Sequence, residues 1–125
     1  MELLVFSPFD AHPTSHHFDG PLSLAIQQAV GAEPEVVPGF TSILHNGIIH
    51  RCAAYSAKGG KQNGQPINSW ATALWHMALK REGYERALRR IDGTIADWLT
   101  GNVAVVCRSP FSFGSAGDPI LTMLR

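Results

Sequence analysis

Asn46-Gly47, set between the runs Phe40–His45 and Ile48–Ser56, restricts the fold more than any other feature of the chain. Asn-Gly between two β-branched runs favours the type I′ turn, whose twist matches that of two antiparallel strands. A two-residue loop pairs His45 with Ile48, Leu44 with Ile49 and Ile43 with His50. Side chains alternate along a strand, so Ile43, His45, Ile48 and His50 share one face, with Leu44, Ile49 and Arg51 on the other. The chain must therefore build an antiparallel sheet around this hairpin.

The remaining elements follow from apolar spacing and from Gly and Pro. Glu2–Phe6 reads as a short apolar strand, continuous enough to lie inside a sheet. Ser7–Gly20 reads as a loop with two prolines and three histidines. Pro21 opens a helix over Leu22–Val30, whose apolar face is Leu22, Ala25, Ile26, Ala29 and Val30, and Gly31 ends it. Glu35–Val37 reads as a strand closed by Pro38-Gly39. Asn68 or Ser69 caps a second helix, with Trp70, Leu74, Met77 and Ala78 as its buried stripe, Ala71 and Trp75 beside it, and Glu82-Gly83 at its end. Tyr84–Arg90 continues as another turn or two of helix. The period extends through Ile95, Trp98 and Leu99 across an interruption at Asp92-Gly93. Val103–Cys107 is a buried strand, Arg108–Pro119 a Gly/Ser/Pro-rich loop and Ile120–Arg125 an apolar tail. The order β-α-β-β-β-α-(α)-β predicts one α+β domain over 1–125, a mostly antiparallel sheet with the helices on one face.

Charge bears on partners. Only 16% of the 125 residues are charged, and the formal net charge is zero. Such a sparsely charged surface, with three Trp and six Phe, predicts that another copy of the chain covers part of it, as a homo-oligomer. The balance hides an asymmetry: Arg51 to Arg90 holds eight Lys/Arg against two Glu. A one-sided field favours an anionic partner; the plainer reading is ordinary solvated helix faces, paired at helical spacing. Cys52 and Cys107 are the only cysteines and form no CxxC, which suits reduced thiols of an intracellular protein, with a disulfide open if their strands pair. The start of the chain lacks the basic and apolar blocks of a signal peptide, and no run is long enough to span a membrane, so a cytoplasmic location is expected.

The strongest hint of chemistry is the stretch Ala57–Lys80, a basic glycine-rich loop leading into the second helix. Lys58, Gly59, Gly60, Lys61 and Asn63, with the amides near Asn68 and Ser69, are candidates to hold an anion at a helix N-terminus. The order is not that of a P-loop, so nucleotide hydrolysis is not indicated; the plain alternative is a surface loop before a capped helix. Trp70, Trp75, Tyr84 and Trp98 could stack on bases, with Trp75, on the expected helix flank, the better candidate to meet a ligand, and Arg86, Arg89, Arg90 and Arg108 are candidates to hold phosphate. His12, His16 and His17, near Asp10 and Asp19, have the chemistry of metal ligands but no HExxH and no neighbouring Cys, and a polar surface loop explains them as well. His45 and His50 share a hairpin face without a nucleophile in a recognisable context. No motif of sequence-specific DNA reading is present. The residues point to binding without catalysis, with no cofactor and no resident metal.

Four blocks resemble a known pattern: Leu24 with Ala29-Val30-Gly31-Ala32 and Glu35-Val36-Val37; Asn46-Gly47; Gly64-Gln65-Pro66-Ile67-Asn68 with Ala71; and Asp97 and Gly101 before Val103–Val106. In this order, over about residues 20–107, they are similar to domain-of-unknown-function family 3846 of phages and conjugative elements. The loop at 7–19, the basic helix at 84–92 and the tail after Arg108 depart from that pattern. The resemblance implies a mobile-element origin and carries over no catalytic residue. It suggests a counter-defence role: a sponge for a nucleotide-like signal or, alternatively, an inhibitor that covers a host defence nuclease. A metal-assisted hydrolase built on the histidine loop ranks behind both.

Overall fold

Every position from Leu3 to Phe6 in strand β1 (Glu2–Phe6) is buried, as are Val103, Ala104 and Val105 of strand β6 (Val103–Cys107). The two strands pair antiparallel, Leu4 opposite Val105, at the middle of one sheet. Strands buried on both sides need cover on both sides. The computed structural model, which describes residues 2–10, 12–83 and 97–107, supplies it with two helices. Helix α1 (Leu22–Val30) packs Ile26 and Val30 onto Leu3, Val5 and Ala104. Helix α2 (Ser69–Arg81) packs onto Leu4, Phe6, Val103 and Val105. The expected α+β class with a mostly antiparallel sheet is what the chain adopts. The helices lie on opposite faces, however, because the all-apolar runs of β1 and β6 project side chains both ways.

The hairpin forms in the expected register, with β4 at Ser42–His45 and β5 at Ile48–Ala57, and His45 opposite Ile48, Leu44 opposite Ile49 and Ile43 opposite His50. Asn46 and Gly47 take φ values of 53° and 74°, the left-handed pair that a type I′ turn requires. Strand β3 (Pro34–Val36) lies along the far end of β5, starting one residue earlier than the Glu35–Val37 expected. The Cys52 N–H donates to the Thr41 carbonyl and the Val37 N–H to the Ala54 carbonyl, so β3 and β4 follow one another down the same edge of β5. β6 holds the other edge.

Two expectations need correction. Thr14–His17, expected as loop, is strand β2, paired antiparallel with β1 at the sheet edge. All four of its residues are exposed, so it lacks the apolar alternation by which a strand is recognised. The buried stripe of α2 is also rotated: Ala71, Leu74, Trp75, Ala78 and Leu79 are buried, whereas Trp70 and Met77 are half-buried. Trp75 is the core tryptophan, its Nε1 donating to Pro38 O at 2.8 Å. Trp70 sits tilted against Phe6, and its Nε1 is buried without a partner among the described residues. The expected helix at Tyr84–Arg90, the question of one helix or two at Ile91–Leu99 and the tail after Cys107 fall wholly or largely outside the described residues.

Helix α1 has the expected bounds. Pro21 precedes it with extended backbone, and Gly31 ends it at φ 78°, its N–H donating to Gln27 O. Asn68, which caps α2, does more than cap. It is fully buried, its Oδ1 accepts from the Ala71 N–H at 3.0 Å, and its Nδ2 donates to Phe6 O at 2.8 Å and to Gly101 O at 2.9 Å. One side chain thus joins the end of β1, the start of α2 and the turn before β6. Asn68→Asp keeps the cap but turns both donations into oxygen–oxygen repulsion, whereas Asn68→Ala loses all three bonds. Each is expected to cost about 3 kcal/mol or more, at roughly 1–3 kcal/mol per buried group left unpaired. Urea unfolding measures it, and an Asn68→Asp variant as stable as the parent would refute the role of the two donations.

Burial, and then the charge of His45, hold the His50 imidazole below its ordinary value of 6.5. The folded chain therefore takes up this proton less readily than the unfolded chain, and His50 withdraws stability as pH falls through 6.5. His50→Gln is expected to flatten the loss of stability between about pH 7.5 and 5.5, read from urea midpoints at both ends.

Candidate functional site

β5 runs out of the sheet at Ala57, and the chain closes into a tight loop before α2. The Lys58 N–H donates to Glu33 O, that of Gly60 to Ala57 O, that of Asn63 to Gly59 O, that of Gly64 to Lys61 O and that of Gln65 to Gly60 O. Of the loop amides that sequence reasoning offered to an anion, those of Lys58, Gly60 and Asn63 are therefore already engaged. Gly59 and Gly64 turn it at φ 74° and 72°. On its return the loop binds residues 97–101: the Gly101 N–H donates to Pro66 O at 2.8 Å, and Ile67 bridges to Thr100.

Residues 97–100 are themselves held by α2. The Leu99 N–H donates to Thr72 Oγ1 at 2.9 Å, the Asn68 N–H to Leu99 O at 2.8 Å, and His76 Nε2 lies 3.1 Å from Asp97 O. The loop, this segment and the end of β3 enclose an open cavity of about 580 Å³, lined among others by Glu35, Lys58, Lys61, Asn63, Trp98 and Thr100. Lys58 to Asn63 thus line one cavity, as the sequence suggested, and Trp75 forms part of its wall.

The charges within it largely cancel. The Lys61 ammonium pairs with the Asp97 carboxylate and lies 4.7 Å from the centre of the Trp98 ring, a cation–π contact. Asp97 Oδ1 also accepts from the Trp98 N–H at 2.8 Å. Lys58 is exposed, and its ammonium has no partner among the described residues, while Glu35 supplies the opposing charge. Elsewhere in the basic stretch, Arg51 pairs with Glu82 at 3.1 Å and the Arg81 guanidinium donates to Ser42 O and Oγ. Among the described residues, therefore, the sequence asymmetry does not become a uniform basic face.

Several candidates are corrected. Asn68 is sealed beneath α2, and its cap occupies the Ala71 N–H, so helix terminus and loop amides do not converge on one anion. Ser69 is exposed at the helix start but does not line the cavity. Trp75 is 3% exposed with its Nε1 engaged, which leaves it a wall rather than a stacking platform. Trp98, 36% exposed, occupies the position that Trp75 was expected to fill. Arg86, Arg89, Arg90 and Arg108 lie outside the described residues. Trp98 could be read from the sequence as one of several aromatics able to stack on a base, but Asp97, Thr100 and Glu35 had no local sequence signal as site residues, because residues 97–100 meet the loop only through long-range bonds.

The histidines do not converge either. His16 and His17 are adjacent on β2 and so face opposite ways, His16 beside Thr14 Oγ1 and His17 3.3 Å from Asp19. Among the described residues no group of three or more His, Cys, Asp or Glu is placed to hold a metal ion, and no helix is long and apolar enough to cross a membrane. The chain matches no family model, no curated protein and no solved structure.

Loop and wall touch closely at Gly60. A Cβ there would meet Thr100 Oγ1 at 2.7 Å. Gly60→Ala is expected to destabilise the domain by about 1–3 kcal/mol through overpacking, and Thr100→Ala in the same chain to recover most of the loss. Thermal unfolding of the single and double variants checks the coupling.

Proposed function

We propose that this domain is a binding protein, not an enzyme, and that the cavity takes a small ligand joining a flat ring to an anionic group, the chemistry of a nucleotide. The observation that carries this reading is the pairing, in one cavity, of the part-exposed Trp98 with the ammonium of Lys58, which has no partner among the described residues. An aromatic surface favours a planar ring, and a lysine without an ion pair supplies charge to a phosphate. Asn63 adds an amide on the same loop. In the mobile-element setting that the sequence resemblance implies, such a domain acts in the host cytoplasm as a sink for a nucleotide signal.

The cancelled charges sharpen the reading. Asp97 competes with any incoming phosphate for Lys61, so Lys58 carries the anion's first contact. With adenosine monophosphate or a cyclic dinucleotide at a hundredfold excess over its dissociation constant, stability rises by about 2.7 kcal/mol, read as a higher melting temperature. Lys58→Ala is expected to weaken binding roughly tenfold or more, the worth of one charged hydrogen bond. Trp98→Ala removes the ring surface and weakens it comparably, whereas Asp97→Asn frees Lys61 and tightens it. No shift with any nucleotide, or affinity unchanged in both Lys58→Ala and Trp98→Ala, refutes the reading.

A further inference from the structure

Cys52 on β5 and Cys107 on β6 stand directly opposite one another in the sheet. The Cys52 N–H donates to Thr41 O at 3.0 Å, toward β4. In a strand the N–H and C=O of one residue point to the same side, so both backbone groups of Cys52 face away from β6. The two cysteines therefore form a non-hydrogen-bonded pair, the ladder position at which facing Cα atoms approach to about 4.5 Å and side chains lie closest. A disulfide needs Cα atoms about 4.4–6.8 Å apart, so this position meets the backbone requirement.

The thiols are also disposed for exchange. Both are half-buried and pack against the core on the face that α2 covers. Cys52 Sγ lies 3.8 Å from Phe40 O as a donor. The neighbouring Cys52 thiol holds Cys107 below the ordinary thiol value against the opposing effect of burial. The neighbouring Cys107, and then burial, push Cys52 up, with Arg81 offsetting part of the rise. Of the two, Cys107 is the readier to ionise.

We infer that Cys52 and Cys107 form a redox-active dithiol, which closes to a cross-strand disulfide by exchange with a small-molecule disulfide. The Cys107 thiolate attacks one sulfur of a disulfide such as oxidised glutathione. That S–S bond breaks, a mixed disulfide forms on Cys107, and the first glutathione leaves with the proton that Cys107 had given up. Cys52 then loses its proton and attacks the Cys107 sulfur, and the second glutathione leaves and takes up that proton. The protein loses two electrons and two protons, and one oxidised glutathione becomes two reduced ones. This inference is independent of the ligand cavity.

The test treats the reduced, folded full chain with oxidised glutathione at neutral pH, quenches it with acid and weighs it. The expected product is a monomer lighter by about two mass units, with both thiols closed to alkylation, the signature of an internal disulfide. Cys52→Ser and Cys107→Ser are each expected to stop at a single glutathione adduct, because the second thiol that would displace the glutathione is gone. Parent protein that keeps its mass, accumulates glutathione adducts or cross-links between chains overturns the inference.

Discussion

The side-chain amide of Asn68 is the interaction on which the arrangement depends. Its three bonds reach the end of β1, the turn before β6 and the first free amide of α2. Each of these groups is backbone at the edge of a regular element, and leaving a buried one unpaired costs more than a typical hydrogen bond contributes. Asn suits this point because it both accepts and donates. Asp lacks the donors, and Ser lacks the reach to two carbonyls. The walls of the cavity hang on the same residue, since the Asn68 N–H also holds Leu99 and so places Trp98 and Thr100 beside the loop.

Charge at the cavity is set by pairing rather than by composition. Lys61 is neutralised by Asp97 and leans on Trp98, which leaves the rest of the part-exposed ring and Lys58 as the groups that meet solvent with capacity to spare. A contact of this kind at a part-exposed site is worth a fraction of a kcal/mol to about one. It orients Trp98 more than it stabilises the domain. The loop amides behave similarly: five of them close the loop on itself or on its flanks, which makes it a formed wall rather than a cradle waiting for phosphate.

Local chemistry was legible in the sequence, and relations between distant elements were not. Asn46-Gly47 gave register and turn because both follow from four consecutive residues. Leu22–Val30 gave helix, face and stop because spacing and Gly31 suffice. The opposite faces taken by α1 and α2 depend on which side of β1 each helix reaches, and no window of sequence reports that. β2 is exposed at every position, so it carries no burial pattern at all. At the site, Lys58 to Asn63 could be read because basic residues and glycines cluster in the chain. Asp97 and Trp98 are some forty residues away, and they join the loop through Thr72, His76 and Pro66. The exchange of roles between Trp70 and Trp75 has a similar cause. A rotation of the stripe by a fraction of a turn leaves the spacing intact, and only the Pro38 carbonyl selects the tryptophan that goes inside.

β5 links the two chemical features without forcing them to communicate. Its last residue, Ala57, leads into the cavity loop, while Cys52 lies about 17 Å back along the strand at roughly 3.4 Å per residue. β6 runs the other way, so its first residue, Val103, follows the cavity wall, and Cys107 lies at its far end. A covalent link between Cys52 and Cys107 would therefore join two strands that already pair at the centre of the sheet, far from the loop and from residues 97–100. Those walls are held by hydrogen bonds to α2 and to Pro66, none of which passes through either cysteine. Oxidation thus constrains chiefly the unfolded chain, in which those residues are otherwise free to separate, and leaves the shape of the cavity to the bonds that already define it.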